Sequence, residues 1–62
     1  MRSNEIIYEV WCEDLFLRSF IGRYKKEEAI KYAKSNKGRE VIKINDFTGE
    51  TLGVVWEINS NK

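Results

Sequence analysis

A chain of 62 residues that is 42% apolar, 34% charged and free of proline is one globular domain, 1–62, and neither a disordered nor a collagen-like segment. Eleven basic groups against ten acidic ones leave a formal charge of +1, with no histidine to alter it near neutrality; that is a weak footprint for a binder of polymeric nucleic acid. The single cysteine, Cys12, excludes an intrachain disulfide, and with no histidine beside it no zinc set exists, so neither metal nor cofactor is expected.

The opening residues Met1-Arg2-Ser3-Asn4-Glu5 lead into an alternating run, not the apolar block of a signal peptide. No stretch approaches the ~20 apolar residues of a membrane helix. The expectation is a cytoplasmic protein without membrane contact, its Cys12 reduced and packed as a small core residue.

Two strand patterns come first, from about Glu5 to Cys12 and from about Leu15 to Arg23, rich in aromatic and β-branched residues. Glu13-Asp14 separates them. A two-residue turn there sets Trp11 opposite Phe16, Glu9 opposite Arg18 and Ile7 opposite Phe20. The other face then carries Ile6, Tyr8, Val10, Cys12, Leu15, Leu17, Ser19 and Ile21, almost all apolar.

Lys26 to Lys37 reads as a helix. Ala29, Ile30 and Ala33 form its apolar stripe. Glu27 and Glu28 suit its N-terminal end, Lys34 and Lys37 its C-terminal end. Gly38 supplies a left-handed residue to stop it. No Ser, Thr, Asp or Asn caps its start.

Arg39 to Asp46 and Thr51 to Ile58 form a second hairpin around the turn Asp46-Phe47-Thr48-Gly49, with Gly49 left-handed. Its register aligns Ile44 with Leu52 and Ile42 with Val54, with Trp56 and Ile58 continuing that face. Val41, Lys43, Gly53 and Val55 take the opposite face, where Arg39 meets Glu57.

These elements predict an α+β domain, ββαββ, with a four-stranded, mainly antiparallel sheet and one helix on one face. The third strand can pair with the first, or the fourth with the second; the pattern does not choose. The run Glu27-Glu28-Ala29-Ile30-Lys31-Tyr32-Ala33, followed by Asp46-Phe47-Thr48-Gly49-Glu50, resembles small ββαββ proteins of bacteria and phages, most without an assigned activity. The resemblance covers the second half of the chain and carries no functional residue. The Lys, Asn, Ile and Glu content fits an AT-rich genome, as in low-GC bacteria and their phages.

The face left bare by the helix is expected to show Ile7, Trp11, Phe16, Phe20, Val41 and Val55 among Glu9, Arg18 and Lys43. So large an apolar cluster marks an interface, and a fold that buries only ~60% of its surface gains from self-association. Catalysis is not expected: the usual general base is missing, Cys12 has no partner base, and Glu13 and Asp14 diverge from adjacent turn positions. Charge is uneven along the chain. Residues 1–22 and 44–62 are each net −2, whereas residues 23–43 hold eight basic and three acidic groups. An aromatic to stack on a base and one or two cations for phosphate suffice for a small nucleotide. Trp11, Phe16, Arg18, Phe20 and Lys43 offer that set, and Arg23, Tyr24 and Lys25 a neighbouring one. The expected function is therefore a non-enzymatic protein, of phage or mobile-element type, that forms a homodimer or higher oligomer and sequesters a small anionic ligand such as a nucleotide signal, in an anti-defence role. The alternative is an inhibitor that docks the aromatic face on a host protein.

Overall fold

The computed structural model describes residues 6–58 and is a ββαββ arrangement. Its elements are β1 (Ile6–Cys12), β2 (Leu15–Ile21), α1 (Lys26–Ser35), β3 (Glu40–Asn45) and β4 (Thr51–Glu57). The four strands form one antiparallel-paired sheet in the order β2-β1-β3-β4. Glu5, expected to open the first strand, lies outside the described residues, as do Met1 to Asn4. Among the described residues, no helix is long and apolar enough to cross a membrane.

The sheet order resolves the choice left open by the sequence. β3 pairs with β1, and α1 carries the chain from β2 across β1 to β3. The two central strands hold the fully buried valines, Val10 and Val41, directly opposite each other. α1 lies over them through Ala29 and Ala33, also fully buried, and Tyr8 completes the core. Alanine at the two contact positions lets the helix axis approach the sheet closely. The resulting core is small: among the described residues no completely buried side chain exceeds valine in size.

Both edge strands are bulged. β2 carries one extra residue at Leu17, because Val10 faces Arg18 while Trp11 faces Phe16. β4 carries two, at Val55 and Leu52. Each bulge turns the rest of its strand over by one position. Bulged edges also resist edge-to-edge pairing with another sheet.

The register of the first hairpin is therefore as expected only near its turn, where Trp11 faces Phe16. Glu9 faces Ser19 rather than Arg18, and Ile7 faces Ile21 rather than Phe20. In the second hairpin Ile42 faces Val54 as expected. However, Ile44 faces Thr51, and the expected Arg39–Glu57 pair is replaced by Glu40 opposite Glu57.

The helix ends differently from the sequence reading. Lys37, not Gly38, takes the left-handed conformation, with φ 61°. The Gly38 amide donates to the Ala33 carbonyl at 2.7 Å, the six-to-one bond of a Schellman-type end. Gly38 is needed instead for close approach: a Cβ there would lie 2.7 Å from Val10 Cγ1 and 3.0 Å from both Ala33 Cα and Cβ. At the start of α1, Lys25 offers no side-chain cap, as expected. Gly49 is left-handed (φ 78°) in its turn, also as expected. Asn45 stabilises that turn, its Oδ1 accepting from the amides of Phe47 (2.8 Å) and Thr48 (3.2 Å).

Candidate functional site

Two surfaces stand out: the sheet face opposite α1, and a groove at the C-terminal end of α1.

The open face follows from strand alternation and the observed registers. β1 contributes Ile7, Glu9 and Trp11; β2 contributes Phe16, Ser19 and Ile21; β3 contributes Glu40, Ile42 and Ile44; β4 contributes Thr51, Val54 and Glu57. Phe16 is 46% exposed, Ile21 59% and Val54 51%. The Trp11 and Phe16 rings meet edge to face at 5.4 Å between centroids. Trp11 Nε1 donates to Glu9 Oε1 at 3.0 Å, which fixes both side chains. The charged groups on this face are all carboxylates. Glu40 and Glu57 cluster at the Trp11 end, whereas Ile7, Ile21 and Ile44 make the other end apolar.

This composition corrects the expected surface. Trp11 and Phe16 are on the open face, but Arg18, Phe20, Val41 and Lys43 are on the helix side, and Val55 packs against the core. The bulge at Leu17 moves Arg18 and Phe20. The pairing of Val10 with Val41 moves β3 as a whole, because it buries Val41 and turns Ile42 and Ile44 outward. The apolar face thus carries more aliphatic residues than the sequence reading gave, and among the described residues it holds none of the cations that an anionic ligand needs.

Arg18 instead lies over the rings of Phe20 and Tyr32, its Cζ 5.0 Å and 5.6 Å from their centroids. Those rings pack edge to face at 5.7 Å. Arg18 therefore ties β2 to α1. Arg18→Ala is expected to lower stability by about 0.5–1 kcal/mol and to leave self-association unchanged, as read by chemical denaturation and by sedimentation. A loss of self-association with unchanged stability would return Arg18 to the interface. Arg23, Tyr24 and Lys25 form the turn between β2 and α1. The Arg23 carbonyl accepts from the Tyr8 hydroxyl at 3.3 Å, Tyr24 is 87% exposed, and Lys25 Nζ lies 3.5 Å from Glu28 Oε1. The eight expected site residues are thus divided among three places and form no single site.

The groove, of about 570 Å³, runs between the end of α1 and the end of β4. It is lined by Cys12, Ala33, Trp56 and Ile58 together with the basic residues Lys34, Lys37 and Arg39. Cys12 is half-buried and lines this groove rather than filling the core. The backbone of Arg39 is clamped on both sides, its amide donating to the Trp11 carbonyl (2.7 Å) and its carbonyl accepting from the Ile58 amide (2.8 Å). The Arg39 side chain makes only a loose, exposed contact with Glu13, at 3.8 Å.

The chain matches no protein-family model, no curated protein and no solved structure. Its function must be argued from these two surfaces. The sequence reading missed the groove because Cys12, Trp56 and the basic residues belong to different elements. The surplus of cations in residues 23–43 was the signal available, and three of them, Lys34, Lys37 and Arg39, gather here.

Proposed function

We propose that this chain is a non-enzymatic binding protein that works in the cytoplasm as a homodimer, with the open faces of two sheets packed together, and that it sequesters a small organic anion of nucleotide type. Such a protein suits a phage or mobile element that removes a host signal. The observation that carries the reading is the outward-facing apolar sheet. A monomer gains nothing by exposing Ile21, Phe16 and Val54 while its own core is as small as Tyr8, two valines and two alanines.

A second copy of the chain is the occupant these features favour. The bulged edges oppose lateral strand pairing, which leaves face-to-face packing. Four strands about 4.8 Å apart and about seven residues long present a face of roughly 400 Å² in projection, about half the area per partner of a standard interface, so the pairing expected of it is weak and rests on its apolar character. A two-fold axis running across the strands sets the Glu40–Glu57 end of one face over the isoleucine end of the other, while Glu9, midway along β1, comes close to its own copy.

A native mass spectrum of protein purified directly from expressing cells tests both halves of the reading. The expected species is twice the 7.4 kDa chain mass, with an added few hundred daltons per site when the ligand is present in those cells, roughly the mass that fits a pocket of ordinary size. A chain that stays a bare monomer well above micromolar concentration contradicts the proposal.

A further inference from the structure

We infer that the groove at the C-terminal end of α1 is the ligand site, and that it takes an aromatic phosphate of nucleotide size. This inference rests on the sequestration reading above and moves its site away from the residues the sequence pointed to.

Its volume, about 570 Å³, lies within the ordinary range for small-molecule pockets, roughly 300–1,000 Å³. The lining pairs a partly buried indole, Trp56, with the apolar Cys12 and Ile58, and an indole is a good platform for a flat aromatic body. Lys34, Lys37 and Arg39 line it with no carboxylate among them, and the nearest acidic groups, Glu13, Glu40 and Glu57, line an adjoining hollow that shares Arg39 and Ile58. Phosphate recognition by a guanidinium fork assisted by ammonium groups has this makeup.

Two details of the helix end favour an anion where a helix C-terminus would ordinarily repel one. First, two of the last carbonyls of α1 are already used. Tyr32 O accepts from the Asn36 amide and from Asn36 Nδ2, both at 2.9 Å, and Ala33 O accepts from Gly38. Secondly, Lys37 occupies a left-handed position (φ 61°) that glycine or asparagine fills at less cost. A lysine held there sacrifices stability and adds positive charge at the groove. The open sheet face, whose charges are Glu9, Glu40 and Glu57, has no comparable attraction for a phosphate.

The test is a titration of ¹⁵N-labelled protein with ADP, GDP and inorganic pyrophosphate, followed by amide and indole chemical shifts. ADP or GDP is expected to give saturable shifts at Cys12, Gly38 and the Trp56 indole, with pyrophosphate at least tenfold weaker. Lys34→Ala and Arg39→Ala, both at exposed positions, are each expected to weaken binding about tenfold, with the rest of the spectrum retained. Shifts confined to the Arg23–Lys25 turn, no saturable shift with any probe, or pyrophosphate binding as tightly as ADP would overturn the inference. Translational diffusion, measured on the same samples, separates the two proposals. A dimer with a silent groove refutes the site alone, and a monomer with groove shifts refutes the dimer alone.

Discussion

Gly38→Ala is expected to lower the stability of the folded chain by about 2–3 kcal/mol, the upper part of the range for overpacking a tight site. The added methyl group would lie 2.7 Å from Val10 Cγ1 and 3.0 Å from Ala33 Cα and Cβ. Neither neighbour can yield easily, because both residues are fully buried and one of the touching atoms is backbone. In a domain of this size the loss is a large share of total stability. Gly49→Ala supplies the comparison: its Cβ would meet nothing within 4 Å, so its cost is that of the left-handed φ alone, about 1 kcal/mol. Urea denaturation followed by circular dichroism checks both. Equal losses in the two variants would mean that Gly38 acts through backbone freedom and that the end of α1 is not pressed against β1.

Val54→Glu is expected to weaken self-association by at least 100-fold while leaving the monomer folded. Val54 is 51% exposed on an edge strand, so the isolated subunit tolerates a polar side chain there within the ordinary range of strand preferences, about 1 kcal/mol. In a face-to-face dimer the same carboxylate would be buried without a partner, beside a face that already carries Glu9, Glu40 and Glu57. A hundredfold change corresponds to about 2.8 kcal/mol, which the desolvation of one unpaired charge readily exceeds. Glu9→Gln is the complementary variant. It keeps an acceptor for Trp11 Nε1 and removes the charge from the middle of the face, so it is expected to tighten the dimer. A weaker dimer in Glu9→Gln would instead mean that Glu9 meets a cation across the interface. Val54→Glu that still associates like the wild type would place the contact elsewhere on the molecule.

The strands, helix and turns were legible in the sequence because each rests on local chemistry: alternation for the strands, the Ala29–Ala33 stripe for α1, Asp46 to Gly49 for the second turn. What the sequence concealed was how those pieces are phased. The bulge at Leu17 adds one residue without any glycine to mark it, and that single step moves Arg18 and Phe20 from the open face to the helix side. In β4, Gly53 sits between the two bulged residues with φ 137°, so an isolated strand glycine was the one visible warning there. The larger miss concerned the hairpins as wholes. Each has one apolar and one mixed face, and pairing the two richer faces under the helix is the natural guess. β1 and β3 meet through Val10 and Val41 instead, and α1 packs on that side through Ala29 and Ala33 with Ile30 and Tyr32 beside them. The face turned away from the helix carries Ile21, Ile42, Ile44 and Val54 in place of Phe20, Val41 and Val55, with Ile42 and Ile44 half-buried. The groove had no local pattern to betray it, because Cys12, Arg39 and Trp56 meet only after the sheet order is known.

Face-to-face dimerisation is the central claim, and sedimentation equilibrium of the unmodified chain tests it most directly. Measured from about 1 to about 200 µM, the mass is expected to rise to twice that of the chain and stop there, with a midpoint in the micromolar range that an interface of roughly 400 Å² per subunit can support. A mass that stays at one chain throughout would contradict the claim, and so would one that climbs past two without a plateau, since a closed pair of sheet faces leaves no apolar face for a third copy.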